Sequence, residues 1–361
     1  MSISSLSLST FARSSILRIQ GQIKDSTQEG LTGRHADVGL TLGRLTGTAI
    51  SYRADETTID RTLASNKLVS GRLKLVTGTL DAVSKTAVAF QSQLITGTAT
   101  ATGTPTVVAS AKQNMQQLIG SVNNNTGGQY YFSGTQTDVK PMEDGSAAVT
   151  TAFNAFLAAA SATTGTAVTR ANVTEAQMGA YLSETGYPAS DGKSYKFSDS
   201  FSTTPVSPAT VSTWDQNWSN ASDEIGEARI SKTETITTTV SANDKAFRDM
   251  AAGYAMITAL GVESMGDGAR ATVMKAAQAK LVAGNDGITR INADVGTRLA
   301  RIEAADTTLT KQKDIVQAAY MRLEGVDETE ALLLVKDLQT QLDKTYAITG
   351  RMQSLSILNY L

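Results

Sequence analysis

From Val69 to Leu94 the apolar residues Val69, Leu73, Val76, Leu80, Val83, Ala87, Phe90 and Leu94 recur in steps of four and three without a miss. On an α-helix that spacing holds one stripe against a partner helix, the heptad pattern of a coiled coil. Ile59 and Thr62 extend the phase upstream. A helix from about Arg53 to Ile95 would be roughly 65 Å long at ~1.5 Å per residue, longer than a globular domain ordinarily needs. Such a stripe requires a partner, because an isolated amphipathic helix is marginal in water.

A second stripe lies towards the other end, through Val295, Leu299, Ile302, Ala305, Leu309, Gln312, Val316, Ala319, Leu323 and Val326. It carries one three-residue slip at Ala305, which reads as a stammer in a continuous helix. A third helix is predicted from Glu328 to about Leu358, with Asp327 as its cap and Glu330 in capping-box spacing. It carries Leu334, Leu338, Leu342, Tyr346, Thr349, Met352 and Leu355.

Between these rods the character changes. Ala109 to Val122 reads as another helix, ended by Asn123, Asn124, Asn125 and the Gly127–Gly128 pair. The segment from Glu143 to about Asn220 is poor in charge and rich in Ala, Ser and Thr, and holds three of the five prolines and both tryptophans. It is expected to be a domain of short strands and loops, with one helix around Phe153 to Ala162. Arg229 to Val240 has the alternation of a strand or hairpin. Ser241 then reads as the N-cap of a helix bearing Phe247, Met250, Tyr254, Ile257 and Leu260.

Charge and composition narrow the function. With 32 basic and 34 acidic residues there is no cationic surplus for nucleic acid and no polybasic membrane patch. There is no cysteine, which removes thiol catalysis, disulfides and thiolate metal sites. The single histidine, His35, lacks companions and reads as a solvated loop residue. The N-terminal residues are apolar at intervals rather than in a block, unlike a secretory signal, and no run of about 18 apolar residues exists to span a membrane.

No reaction motif survives inspection. Gly43 to Thr48 lacks the spacing and lysine of a phosphate loop and reads as a flexible glycine turn. Ser190 and Lys193 have serine–lysine spacing but sit in a Gly–Pro loop, which favours a surface turn. The neighbouring carboxylates Asp55–Glu56 and Asp223–Glu224 diverge on a helix and read as solvated faces. No catalytic residue, cofactor site or metal site is expected.

Several segments, in order, carry a family resemblance. GLTGRHADVGLTLG from Gly30 is similar to the turn that follows the first helix in the bacterial flagellin superfamily, with His35-Ala36-Asp37-Val38-Gly39 replacing a more usual proline and acidic pair. GGQYYFSGTQTDVKPM from Gly127 resembles a signature of the hook–filament junction members, the hook-associated proteins of type 3. Tyr130, Tyr131, Phe132, Gly134 and Thr135 are its defining positions. VSANDKAFRDM from Val240 is similar to the return from insert to helical shaft in these proteins. The ending Leu355-Ser356-Ile357-Leu358-Asn359-Tyr360-Leu361 resembles the family's terminal helix. Residues 1–142 and 230–361 carry the likeness.

The expected fold is mainly α: an elongated coiled-coil helical bundle from both chain ends with a central β-containing insert. The expected division is an inner-tube helix at 1–40, a shaft with a β-hairpin at 41–142, an outward variable insert at 143–229, a shaft return at 230–327 and a second inner-tube helix at 328–361. Leu334, Leu338, Leu342, Met352, Leu355 and Leu358 are the expected assembly-interface residues, gaining order as copies pack. The resemblance implies a structural subunit of the flagellum, extracellular and exported by the flagellar type III apparatus. Its implied partners are further copies of itself, a hook-side junction protein, flagellin, and a cytoplasmic export chaperone on the C-terminal helix. A filament flagellin is the near alternative. A secreted coiled-coil adhesin, or a toxin-like enzyme active through its insert, is the alternative of another class.

Overall fold

The computed structural model describes residues 5–97, 103–205 and 211–358, with side chains described for 10–95, 103–205 and 211–351. The described elements are α1 (Ser5–Thr32), α2 (Val38–Leu42), α3 (Thr46–Gly97), α4 (Thr104–Val122), β1 (Asn125–Thr126), β2 (Gln129–Tyr130), α5 (Ser146–Thr164) and α6 (Glu175–Leu182). They continue with β3 (Tyr187–Pro188), β4 (Ser194–Tyr195), α7 (Thr213–Asn217), β5 (Glu227–Arg229), β6 (Thr235–Thr237), α8 (Lys245–Ala259), α9 (Asp267–Glu324) and α10 (Glu328–Leu358). Strands pair as neighbouring antiparallel hairpins, β1 with β2, β3 with β4 and β5 with β6. The fold is mainly α with β structure confined to the middle of the chain, as expected.

Residues 1–63 and 307–361 form one unit, and residues 64–306 form the other. In the first unit α1 packs on α10, antiparallel, as the Gln20 to Tyr346 hydrogen bond and the approach of Gly30 to Leu332 show. Asp327 caps α10, its Oδ1 accepting from the amides of Thr329 at 2.8 Å and Glu330 at 3.2 Å, and α10 starts at the predicted residue. The start of α3 lies beside the end of α9: Gln317 donates to Glu56 at 2.9 Å, Lys313 pairs with Asp60 at 2.7 Å, and Arg53 pairs with the buried Glu324. The predicted stripe drifts here. Gln312 is exposed, and Tyr320 rather than Ala319 is buried. A helix near 3.6 residues per turn slips against a 3.5-residue repeat once the stammer has passed.

In the second unit the predicted seam of α3 is the observed one. Leu73, Leu80, Ala87, Phe90 and Leu94 are at most 1% exposed, with Val76 and Val83 buried and Val69 packed at the edge. Asn292 donates to Asp81 at 2.6 Å, and Ser84 donates to Asn285 at 2.7 Å, aligning α9 antiparallel to α3. α9 begins 28 residues before Val295, its early packing combining the buried Val273, Met274, Leu281 and Ile288 with alanines and with two glycines that let α8 come close. A Cβ on Gly284 would meet Met250, and one on Gly287 would meet Ala246 at 2.6 Å. At those two positions close backbone approach stands in for an apolar side chain and interrupts the apolar spacing. α8 is buried on nearly all sides. Its cap is Asp244, whose Oδ1 accepts from the Ala246 amide at 2.8 Å. Ser241, expected in that role, instead bridges to Ser133 and donates to the Ser222 carbonyl.

The segment 143–229 is more helical than expected. Alanine, the strongest helix former, extends the helix predicted at Phe153–Ala162 to Ser146–Thr164, and a Thr174/Gln177 capping box starts α6. Phe153, Phe156, Tyr181, Tyr187, Phe197, Phe201, Trp214 and Trp218 form a continuous run of ring contacts with centroids 4.3–6.4 Å apart. That run belongs to the same hydrophobic core as Phe90, Phe132, Phe247 and Tyr254.

Candidate assembly surface

The α1–α10 pair has two kinds of face. Ile19, Ser26 and Gly30 on α1, with Ala331 and Leu338 on α10, are buried between the helices. The spacing of Ala331, Val335, Leu338, Leu342, Thr345 and Thr349 is again four and three, so this stripe is satisfied within the chain. The remaining apolar side chains are left outside: Phe11 is 71% exposed, Leu31 77% and Leu333 59%, with Leu17, Leu334, Tyr346 and Ile348 also exposed. Large apolar side chains left exposed on both helices are available to a partner. Leu338 therefore lies in the internal stripe with Leu342 half-buried beside it, while Leu334 is on the outside. Met352, Leu355 and Leu358 have side chains outside the described residues.

The turn after α1 is fastened to the α9–α10 junction. The His35 amide donates to the Glu324 carbonyl at 2.9 Å, the Val326 amide to the Gly33 carbonyl at 3.0 Å, and Gly33 takes φ +64°. The Arg34 guanidinium lies over the Tyr320 ring. His35 is half-buried, with Nδ1 3.4 Å from Glu29, rather than solvated. It closes a turn. The expected glycine turn at Gly43–Thr48 is also shorter, since Gly43 takes φ +51° and α3 begins at Thr46.

The signature residues build the neck through which the chain enters and leaves the insert. Phe132 is fully buried edge-on against Phe247, and its carbonyl accepts from the Ala242 amide at 2.7 Å. Tyr131 is buried and its hydroxyl bonds to Thr126. The Tyr130 carbonyl accepts from Arg72, whose burial pushes its guanidinium below the ordinary value, against the opposing influence of Tyr131. Gly134 takes φ +66° against the Ser222 carbonyl, where a Cβ would collide. Thr135 donates to Ser222 and Glu224 at 3.2 Å.

Sequence reading missed the polar half of this neck. Asn123 clasps the backbone of Met142, accepting from its amide at 3.0 Å and donating to its carbonyl at 2.8 Å. Asn243 accepts from the Trp214 indole at 2.8 Å and donates to Ala221 and Asp223 at 2.9 Å. Asp223 and Glu224, read as solvated, are exposed, and each also accepts a hydrogen bond from the neck. The run of three asparagines was the available signal for Asn123. Ser190 to Lys193 forms the turn between β3 and β4, with Gly192 at φ +78°.

Among the described residues no group of three or more His, Asp or Glu side chains is placed to hold a metal ion, and no helix is long and apolar enough to cross a membrane. What the geometry offers is surface. One set of apolar groups faces outward from the terminal helices, and a buried neck fixes the insert.

The family model of the bacterial flagellin N-terminal helical region matches residues 3–137, and that of the bacterial flagellin C-terminal helical region matches residues 282–361. Among solved structures the fold is similar to a protein of Vibrio parahaemolyticus described as a flagellar hook-associated protein. Identity is 12% over 77% of this chain and 96% of that one, with a TM-score of 0.51. FlgL of Bacillus cereus is 11% identical over 75% of this chain and 97% of its own, with a TM-score of 0.47. A sequence search of the curated proteins finds no match.

Proposed function

Because this chain belongs to the bacterial flagellin family, with both family regions matched at its two ends, we propose that it is the subunit joining hook to filament in a bacterial flagellum. Its role is structural. The observation that carries the reading is the division of labour on α1 and α10. Their inner stripes hold the two helices together, and their outer apolar residues from Phe11 to Ile348 are left for neighbouring subunits. Each square ångström of apolar surface so covered contributes about 25 cal/mol, so sliding one subunit past another is opposed over the whole face.

Two features favour a junction subunit over a filament flagellin. The signature at Tyr130–Thr135 forms the insert's neck, and a hook-associated protein shares the fold. In this reading residues 1–40 and 328–361 lie towards the inner tube and 143–229 outward. The partners are copies of itself, a hook-side junction protein and flagellin, after export through the flagellar type III apparatus with a chaperone on the C-terminal helix.

Deletion of the gene tests the role. A junction subunit's loss leaves hooks on the cell and releases flagellin monomers into the medium. Filaments still attached to hooks after deletion would overturn the assignment.

A further inference from the structure

Opposite its buried seam, α3 presents a second regular face. Leu68, Gly71, Leu75, Gly78 and Ala82 repeat in steps of three and four and are all exposed, Leu68 by 78% and Leu75 by 50%. A Cβ at Gly71 or Gly78 would meet nothing within 4 Å, so neither glycine is required by this chain's own packing. Each weakens a helix interior relative to alanine. Two such glycines, seven residues apart between exposed leucines, make a shallow apolar groove into which another backbone can come close.

Charge identifies the occupant. Lys67, Lys74 and Lys85 are exposed along one flank of this groove, with one carboxylate, Asp81, among them and hydrogen-bonded to Asn292, and none of the three lysines takes part in a described ion pair. Residues 64–142 carry six basic residues and two acidic ones. The segment 143–229 carries ten acidic residues against four basic ones, and none of the described ion pairs uses its carboxylates. Glu184, Asp191 and Glu227 are exposed on it. The positive flank and the negative insert are complementary, and both belong to one chain whose net charge is −2.

The geometry points to a docking face for a second copy: the Leu68–Ala82 groove of α3, rimmed by Lys67, Lys74 and Lys85, receives the acidic 143–229 segment of a neighbouring subunit. The leucines and glycines give close apolar contact. The lysines fix which surface enters, by making a basic approach unfavourable. This inference rests on the reading of the chain as a self-assembling subunit and says which surface meets which.

The full-length chain is expressed in a strain lacking its own gene. Lys67→Glu/Lys74→Glu/Lys85→Glu is expected to be exported and to melt like wild type, yet to lose filament retention at least tenfold. A photo-crosslinking benzoylphenylalanine at Leu75 is expected to yield copy-to-copy dimers whose linked peptide maps to 143–229. Normal filament retention by the triple variant overturns the inference, as does a crosslink to a different protein or to another part of a second copy. Should wild type itself fail to restore filaments, the junction role falls. The crosslink, repeated on concentrated purified subunit, then decides the docking face separately: an insert-linked dimer sustains it and its absence removes it.

Discussion

Asn66 Nδ2 donates to Asp306 Oδ1 across 2.6 Å, tying α3 to α9 at a position where the α3 seam is otherwise apolar. Asn66 is 1% exposed and also donates to the Ile230 carbonyl at 3.0 Å, so one amide holds both the helix pair and the β5–β6 hairpin. A polar residue in a coiled-coil seam sets register at a cost in stability. Asn66→Ala is expected to lose about 1–3 kcal/mol by leaving buried groups unpaired. Asn66→Leu with Asp306→Leu should recover part of that loss and stay below wild type, because the Ile230 carbonyl still lacks its donor. Urea unfolding measures both, and a double variant weaker than the single would refute the register role.

Glycine position separates two effects of one substitution. Gly134→Ala forces alanine into a positive φ against the Ser222 carbonyl and should cost at least 1–3 kcal/mol from backbone strain alone. Gly78→Ala, in open helix, should stabilise the free subunit by about 1 kcal/mol. Thermal melts of the two variants are expected to move in opposite directions.

The terminal helices offer a paired comparison. Leu338→Ala removes a seam contact and should accelerate hydrogen exchange throughout α1 and α10, since burying a leucine in a seam is worth about 2–5 kcal/mol. Leu334→Ala, on the outside, should leave exchange unchanged and weaken filament retention in cells.

Asp249 links stability to pH. Burial opposes its ionisation, but hydrogen bonds from Lys245 and Lys280 outweigh burial and hold the carboxyl below its ordinary value. A depressed carboxylate stabilises the folded state above the unfolded pKa of about 3.9, and that contribution is lost as pH falls through the folded value. The stability difference between wild type and Asp249→Asn should therefore be steady near neutrality and shrink below about pH 4. Denaturant midpoints across pH 3–7 would show it, and a constant difference would refute the linkage.

What could be read from residues alone follows the physics of each region. The α3 seam and the cap at Asp327 were legible because bulky apolar spacing and a side-chain acceptor are local signals. The start of α9 was passed over although Leu281, Ile288 and Ile291 continue the stripe upstream of Val295, because Gly284, which packs by proximity, leaves a gap in the run. Ser241 lost the cap to Asp244 because the neck claims it for Ser133 and Ser222, a contact between residues far apart in sequence. On α10, periodicity located the leucines but could not divide Leu338 from Leu334. Which apolar flank meets α1 depends on the partner helix.

The burial of α8 on nearly every side reaches beyond this chain. Phe247 meets Phe132, Tyr254 meets Phe90, and α4, α5 and α9 supply the remaining walls. Because α5 belongs to 143–229, a chimera that exchanges this segment for a foreign one removes a wall of the pocket holding α8. Graft donors must bring a replacement for the α5 face that meets α8, where Thr150 donates to the Ala259 carbonyl, or the recipient scaffold will collapse around the gap.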